Sequence, residues 1–269
     1  MPFRMRVSVR RSERHRAGLF PLTADWNYLE FFGNVLPELN PMLLSRLLLT
    51  FVSIYSLTGT ATAQQYTDLL KGRSMSQWML PSGEDVQAGW SFDPDGTLHL
   101  VGKGDNIITK EDFGDFDLWF EYRISAKGNS GIKYRVMKYG NSWLGCEYQI
   151  QDDSAFPNLS AEHYTASLYD LFDITSPVLK RNYINVDQFS VGRIIVQNHR
   201  IRHWMNGNLI IDERDDSQRF TDAVTNSKFK GQEGFGQNSV GKLMLTDHGS
   251  EVWYRNVYIR RLDGRAAVR

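Results

Sequence analysis

Apolar and polar residues alternate in short runs over most of the chain, and Gly, Asn, Asp and Pro separate these runs. In residues 115–124, DFDLWFEYRI, every second side chain is a large apolar one. The run GIKYRVM follows and would turn Ile132, Tyr134 and Val136 inward. A period of two residues is typical of β-strands with one buried face, and little of the chain repeats at helical spacing. We therefore predict an all-β fold, a two-sheet antiparallel β-sandwich of the jelly-roll type.

The stretch EYQIQDD, which begins at Glu147, shows the alternation clearly and raises a question about function. As a strand it places Cys146, Tyr148 and Ile150 on a face that can be buried, and the acid and amide of Glu147 and Gln149 on the other. An antiparallel sheet often keeps one face in water. The polar face is therefore either solvated surface or the floor of a binding site.

Other segments predict further elements of the sandwich. Asn206-Gly207 in RIRHWMNGNLIIDE predicts a hairpin with a type I′ turn, because both turn positions need a positive φ. Residues 242–262 predict two strands around His248-Gly249, and the Lys/Arg-rich end predicts a solvated edge strand. Residues 215–230 favour a short helix. Residues 154–187 lack periodicity and predict a long excursion over one face, the kind of loop that often carries function.

The N-terminal residues read as a processing segment rather than as part of the fold. Residues 47–57, LLLTFVSIYSL, have the length of a signal-peptide core, and a small-x-small motif follows them. We therefore predict a signal peptide over residues 42–63, a mis-called or disordered extension over residues 1–41, and a single domain over residues 64–269. The alternative is an uncleaved amphipathic anchor. The signal peptide predicts a bacterial periplasmic or secreted protein with no stable membrane anchor after cleavage.

Composition narrows the class of partner. The chain carries 31 basic and 31 acidic side chains in 269 residues, so no overall field favours nucleic acid or an anionic membrane. The single cysteine, Cys146, excludes an intramolecular disulfide. The sequence also lacks CxxC, HExxH, GxGxxG, GxSxG and EF-hand spacings. We therefore predict no cofactor and no dedicated metal cage.

A set of polar side chains remains that strand alternation would display on one sheet face or its rim. Carboxylates and histidine can transfer protons, and lysine or arginine can stabilise an oxyanion, an inventory that suits sugar chemistry. Each residue also has a plainer interpretation as hydrated surface, turn chemistry or core. The candidates are Asn129, Lys133, Glu147, Gln149, Asp153, His203, Trp204, Lys228, Asp247, His248 and Arg255.

Six segments in one order make the chain resemble the family of 3-keto-disaccharide hydrolase domains. The resemblance implies a fold similar to the concanavalin A-like lectins and glucanases, with a concave face that binds sugar. It also implies cleavage of glycosides already oxidised to a ketone at C3, by hydrolysis or by a lyase reaction. The segments are GNSGIKYRV (128–136), GCEYQIQDD (145–153), ASLYDLF (166–172), VGRIIVQNHRIRHWMNG (191–207), SKFK (227–230) and LTDHGSEVWYRNVYIRRL (245–262).

The chemistry that the resemblance implies needs a base, an enolate stabiliser and an acid for the leaving oxygen. His248 and Glu147 are the expected acid and base pair, and Lys228 or Arg255 is expected to polarise the ketone. A divalent ion held by Glu147 and His248 stays open as an alternative. The expected substrate contacts are Asn129, Lys133, Gln149, Asp153, His203, Trp204, Asp247 and Arg255.

The sequence departs from the family at Ala166, where relatives carry Gly, at Thr246, where many carry Gln, and at Gln151, where an apolar residue is usual. Glucanases of similar fold carry E-x-D-x-x-E on one strand, whereas an amide stands at Gln149, so an unoxidised β-glucan is not the expected substrate. The rival hypothesis is a non-catalytic, lectin-like carbohydrate-binding module, because the same groove would serve it.

Overall fold

The computed structural model describes residues 65–174, 186 and 188–264. The predicted N-terminal extension and signal peptide lie outside these residues. Within them no helix is long and apolar enough to cross a membrane. The elements are β1 (Thr67–Asp68), β2 (Trp78–Met79), β3 (Trp90–Phe92), β4 (Leu98–Leu100), β5 (Ile107–Thr109), β6 (Phe116–Ile124), β7 (Asn129–Tyr139), β8 (Ser142–Gln151), β9 (Ser190–Gln197), β10 (Arg200–Met205), β11 (Asn208–Arg214), α1 (Gln218–Asn226), β12 (Lys242–Leu245) and β13 (Val252–Arg261).

The strands form two antiparallel sheets. The large sheet has the order β11-β10-β9-β6-β13-β4-β3, and β1 also pairs with β13. The small sheet has the order β2-β5-β12-β7-β8. Strands that are adjacent in the chain often lie in different sheets, as β12 and β13 do, which is the crossing connectivity of a jelly roll. The predicted all-β sandwich is confirmed.

The core lies between the sheets because every second side chain of the long strands points there. On β6 the predicted inward residues from Phe116 to Ile124 are at most 1% exposed. Cys146, Tyr148 and Ile150 of β8 face them and are equally buried, so the alternation read from EYQIQDD is confirmed. Edge-to-face packing joins the two layers, with the Phe120 and Tyr148 rings 5.1 Å apart.

Two predictions about strands are wrong. Val136 does not join Tyr134 in the main core, because a bulge follows Tyr134 where Arg135 adopts φ +52°. The extra residue reverses the alternation, and Val136 packs with Met244 on the outer face of the small sheet. The basic end of β13 is not a solvated edge, since β13 pairs with β6, β4 and β1 and its arginines bind acids of the neighbouring segments.

The predicted hairpin and helix are confirmed. Asn206 and Gly207 join β10 to β11 with φ of +48° and +82°, as a type I′ turn requires. α1 begins after Ser217, whose hydroxyl accepts a hydrogen bond from the Phe220 amide at 3.1 Å. Phe220 is fully buried and fastens the helix to the sandwich.

Residues 154–174 belong to the predicted long excursion, and they run beside β8, the edge strand of the small sheet. Backbone hydrogen bonds join Tyr169 N to Glu147 O at 3.0 Å and Ala166 N to Gln149 O at 2.9 Å. Leu168 also forms an isolated bridge with Tyr148. This segment, the covering loop, closes the edge of the small sheet and borders its outer face.

Candidate active site

Glu147 forms the floor of a charged cluster on the outer face of the small sheet. Only 4% of the residue is exposed. Its partner across the β7–β8 ladder is Lys133, whose Nζ lies 3.7 Å from Glu147 Oε2. The neighbouring Gly131 makes room for the carboxylate, because a Cβ at this position would collide with Glu147 Oε1. A glycine in mid-strand here therefore serves a close approach of a side chain.

Lys228 reaches the cluster from the segment that follows α1. Its backbone N–H donates to Asp170 Oδ2 at 2.7 Å, and its Nζ lies 4.1 Å from the centroid of the Tyr169 ring. The pKa of Lys228 is lowered because surrounding protein displaces water from the ammonium, and Lys133 adds to the effect while Glu147 opposes it. The residue as a whole stays exposed, so a ligand can reach it.

His248 reaches the same cluster from the turn after β12. Loss of water around the ring lowers its pKa, Glu147 and Asp247 act in the opposite direction, and Lys133 and Lys228 lower it further. The imidazole is therefore neutral at pH 7. We call Lys133, Glu147, Lys228 and His248 the Glu147 cluster; their charges act on one another although they come from four separate parts of the chain.

Asp247 positions the turn that carries His248. Its Oδ2 accepts hydrogen bonds from the backbone N–H groups of Gly104 and Asp105, both at 2.9 Å. Its own N–H donates to Asn106 Oδ1 at 2.8 Å. The carboxylate therefore ties the turn to the loop before β5, and it lies next to the cluster rather than within it.

A row of amides continues the outer face beyond Glu147. Gln149 Nε2 donates to Asn129 Oδ1 at 3.3 Å and to Gln151 Oε1 at 2.9 Å, and Gln151 Nε2 donates to His163 O at 2.9 Å. Gln149 and Gln151 are each only 3% exposed, so this face is not the wet side of a sheet. Gln151, where an apolar residue is usual in the resembled family, uses its amide to hold the covering loop.

The covering loop contains backbone conformations that few residues accept. Ala166 has φ +68°, in the left-handed region that glycine accepts without strain. Asp170 also has a positive φ, and its carboxylate accepts hydrogen bonds from Lys228 N and from His163 Nε2, the latter at 2.8 Å. Such conformations are kept where the surroundings determine them, and here they fix Tyr169 and Asp170 against the cluster.

Four of the predicted site residues lie away from the cluster. His203 is fully buried between the sheets, where Tyr134 Oη and Ala166 O hold its ring nitrogens, and burial lowers its pKa to about 4. Trp204 and Arg255 belong to the large sheet, where Arg255 pairs with Glu121. Asp153 binds the Thr165 amide and hydroxyl, and burial raises its pKa to about 6. Alternation specifies a face but not which of two sheets carries it.

The structure adds residues that the pattern did not single out. Tyr169 and Asp170 lie in a segment without periodicity, and only the quoted ASLYDLF motif pointed to it. His163 stacks on Tyr169 with ring centroids 4.6 Å apart. Gly131 left one signal, a glycine inside an alternating strand, which marks a close approach.

One set of potential metal ligands occurs among the described residues. Glu162, His163 and Asp170 each offer a ligand atom, and these atoms all lie within 4.8 Å of one another. Carboxylate and imidazole are ligand types that divalent ions accept. A cation held by Glu147 and His248 would instead face the ammonium groups of Lys133 and Lys228, whose repulsion disfavours that ligand pair.

The sandwich resembles solved structures. A crystal structure of a proposed glycosyl hydrolase from Parabacteroides distasonis ATCC 8503 superposes with a TM-score of 0.66 at 25% identity, covering 74% of this chain and 94% of that chain. A second protein of the same description and organism gives a TM-score of 0.57 at 21% identity, with 74% and 100% covered, and it supports the fold alone. This chain therefore has a β-sandwich fold similar to that of these two proteins.

Residues 65–260 match the family described as the 3-keto-alpha-glucoside-1,2-lyase-like domain, and the chain belongs to this family. The resemblance read from the six segments is confirmed. A protein named 3-keto-disaccharide hydrolase, from Bacteroides thetaiotaomicron, is 26% identical over 243 residues, which cover 77% of this chain and 82% of the relative.

Proposed function

We propose that this chain is an exported carbohydrate-active enzyme that cleaves glycosides carrying a ketone at C3. Family membership and the hydrolase relative indicate a 3-keto-disaccharide hydrolase-like protein. The observation that carries the proposal is the Glu147 cluster, which joins a recessed carboxylate, a neutral histidine and two lysines on one face. These supply a proton donor, a proton acceptor and the cations that an enolate needs.

The reaction follows from the acidity of the substrate. A C3 ketone acidifies the C2 proton, and a base that removes it leaves an enolate. The enolate expels the oxygen at C1, which leaves with a proton as the free aglycone. Water then adds to C1 of the unsaturated sugar while a proton returns to C2. The sum is hydrolysis of the glycoside, and the reaction stops at a lyase product if water does not add.

The environment of each group suggests its role. We assign removal of the C2 proton to His248, because its lowered pKa leaves the imidazole free to accept a proton at pH 7. We assign stabilisation of the enolate oxygen to Lys228, whose ammonium is poorly hydrated and therefore attracts an oxyanion strongly. In the role we assign to Glu147, its carboxyl group gives a proton to the oxygen at C1 and takes one back from the water that adds to C1. Lys133 holds the carboxylate in place between these two transfers.

The amide row suits the rest of the sugar. Asn129 and Gln149 offer amide groups beside Glu147, and such groups bind hydroxyls. Their existing hydrogen bonds preorganise them, so little ordering is needed when a ligand binds. A lectin-like module would use the same groups, and only turnover separates the two hypotheses.

The test compares p-nitrophenyl and methyl 3-keto-glucosides with their unoxidised parents, and aglycone release is measured by chromatography on the full chain. We expect release from the keto-glycosides only. Early incorporation of deuterium at C2 in D₂O, above the enzyme-free rate, would support proton abstraction. Saturable sugar binding without release from any substrate would overturn the proposal in favour of a lectin.

Variants separate the assigned roles. His248→Asn removes the base, so both keto-glycosides should react slowly. Glu147→Gln should slow the methyl glycoside far more than the p-nitrophenyl one, because nitrophenolate leaves without a proton. Lys230→Ala, two residues from Lys228 and exposed, is the matched control and should keep full activity. Full activity in both His248→Asn and Glu147→Gln would overturn the assignment of the site.

A further inference from the structure

A cavity of about 720 Å³ lies on the outer face of the large sheet, on the other side of the sandwich from the Glu147 cluster. This volume is in the range of cavities that hold small ligands. Its floor belongs to β6, β9 and β13, the central strands of the large sheet. The residues that line it are Tyr66, Trp119, Phe120, Glu121, Val191, Asn256 and Tyr258.

Aromatic rings form the walls of this cavity, which we call the aromatic pocket. Trp119 and Tyr258 are direct neighbours across the β6–β13 ladder, and each is 38% exposed. Tyr66 stands just before β1 and is 40% exposed. These three are half of the six most exposed large hydrophobic residues in the described part of the chain. Exposed rings gathered at one cavity mark a binding surface rather than chance exposure.

Hydrogen bonds and a cation–π contact hold the walls in place. Tyr66 Oη donates to Asp117 Oδ2 at 2.6 Å, and the Arg193 guanidinium lies 4.9 Å from the centroid of the Trp119 ring. Tyr258 Oη donates to Asn256 Oδ1 at 3.5 Å. Rings that are already ordered lose little freedom when a ligand stacks on them.

The acidic groups around the aromatic pocket are paired inside the protein. Asp117 binds both Arg193 and Arg260, and Glu121 binds Arg255 at 2.6 Å. The pocket therefore offers aromatic faces and hydrogen-bonding groups, and Glu121, the charged residue among its described lining residues, is already paired with Arg255. A neutral ligand with apolar C–H faces and hydroxyls at its edges matches this combination, because rings stack on the faces while Asn256 and Glu121 bind hydroxyls.

We infer that the aromatic pocket is a second carbohydrate-binding site, specific for neutral saccharides and separate from the Glu147 cluster. Such a site would hold the protein on a glycan while the other face reacts. The inference does not depend on the proposed reaction, since binding here needs no ketone and no proton transfer.

The test is isothermal titration calorimetry of the full chain with cello-, malto- and laminari-hexaose, with an oligogalacturonate as the acidic comparison. At least one neutral hexaose should bind, and the acidic oligosaccharide should bind at least about tenfold more weakly. Trp119→Ala and Tyr258→Ala should each weaken binding at least about tenfold. Trp119→Phe should keep part of the affinity, because a smaller ring still stacks.

Matched variants show whether the pocket is responsible. Leu209→Ala removes another exposed apolar side chain of the large sheet and should leave affinity unchanged. Glu147→Gln should bind neutral hexaoses like the unmodified chain. The inference is wrong if no hexaose binds at 10 mM, or if binding survives both Trp119→Ala and Tyr258→Ala. It is also wrong if sedimentation shows that Trp119→Ala abolishes self-association, because a second copy would then occupy the pocket.

Discussion

The outer faces of the two sheets share the alternation of the strands, but they differ in how closely their buried carboxylates are paired with cations. On the large sheet Asp117 is fully buried and bound by Arg193, Arg260 and Tyr66, so its negative charge is fully paired within the protein. On the small sheet Glu147 has Lys133 at 3.7 Å and no shorter ion pair with any of the described residues. Removing one partner of a close, buried ion pair costs stability, whereas a carboxylate held loosely beside lysines remains available for chemistry.

The burial of the two carboxylates does not explain this difference, because Asp117 and Glu147 are both nearly inaccessible. The partners do. Asp117 accepts three arginine hydrogen bonds of 2.8–2.9 Å. The lysine ammonium groups beside Glu147 belong to Lys133, which faces it across the ladder, and Lys228, which stays exposed at the rim. We therefore expect charge removal on the large sheet to cost stability and charge removal on the small sheet to cost activity.

Removing the Glu147 charge should give the largest effect. In Glu147→Gln the shape is kept and the proton transfer is lost, so kcat/KM on the methyl 3-keto-glucoside should fall by ~10²–10⁴-fold. The free energy of unfolding, from urea denaturation, should change by less than about 1 kcal/mol, since no close ion pair is broken. The matched variant Glu121→Gln on the large sheet should keep kcat/KM. Equal losses of activity in the two variants would contradict the comparison.

The interior between the faces should respond to pH through His203. Burial lowers the pKa of His203 to about 4, below the ordinary value of 6.5. Its contribution to stability is therefore present above pH 6.5 and lost as the pH falls towards 4, about 3 kcal/mol in all. We measure the free energy of unfolding by urea denaturation from pH 7 to pH 4. It should fall less in His203→Gln than in the unmodified protein, because the variant has no histidine to protonate at this position.

Asp153 acts with the opposite sign in a similar pH range. Burial raises its pKa to about 6, so its contribution is present below the ordinary value near 4 and lost as the pH rises through 6. The unmodified protein and the His203→Gln variant both carry Asp153, so the effect of Asp153 cancels when their free energies of unfolding are subtracted. Identical pH profiles for the two chains would show that His203 does not titrate as its burial implies.

Removing the Asp117 charge should cost stability and leave activity intact. Asp117→Asn leaves two arginines without their partner, and we expect the free energy of unfolding to fall by about 2 kcal/mol, less than for a fully buried pair because the arginines reach solvent. Urea denaturation gives the loss, and kcat/KM should not change. The control is Asp212→Asn, which breaks an exposed pair with Arg200 on the same sheet and should cost less than about 0.5 kcal/mol.

Lys228→Arg should give the smallest effect, a change in pH dependence. Lys228 must be charged to stabilise an enolate, and its lowered pKa places the loss of that charge below the ordinary value of 10.5. Arginine stays charged, so the alkaline limb of kcat/KM should move to higher pH. Initial rates from pH 7 to 10 measure the limb. A limb that stays in place would assign it to another group, and Lys230→Arg is the control.

The local pattern of apolar and polar residues predicted much of the fold. The strands β6, β8, β10 and β11 follow from alternation and from Asn206-Gly207, because these signals act over a few neighbouring residues. The orientation of Val136 could not be predicted, because a bulge reverses the alternation and nothing in the local sequence indicates φ +52° at Arg135. The central position of β13 in the large sheet could not be predicted either, because a strand's position in its sheet depends on partners far away in the chain.

The sequence by itself determined the sandwich, the buried side of EYQIQDD and the family, since these depend on period-two burial and on short motifs in order. Only the tertiary structure decided which polar residues meet. Glu147 and Lys133 join across a ladder, while Lys228 and His248 arrive from the ends of other elements. His203 and Arg255 carry equally suitable chemistry but lie between the sheets and on the large sheet. The reason is physical: alternation fixes the face on which a side chain lies, whereas the packing of distant strands fixes its neighbours.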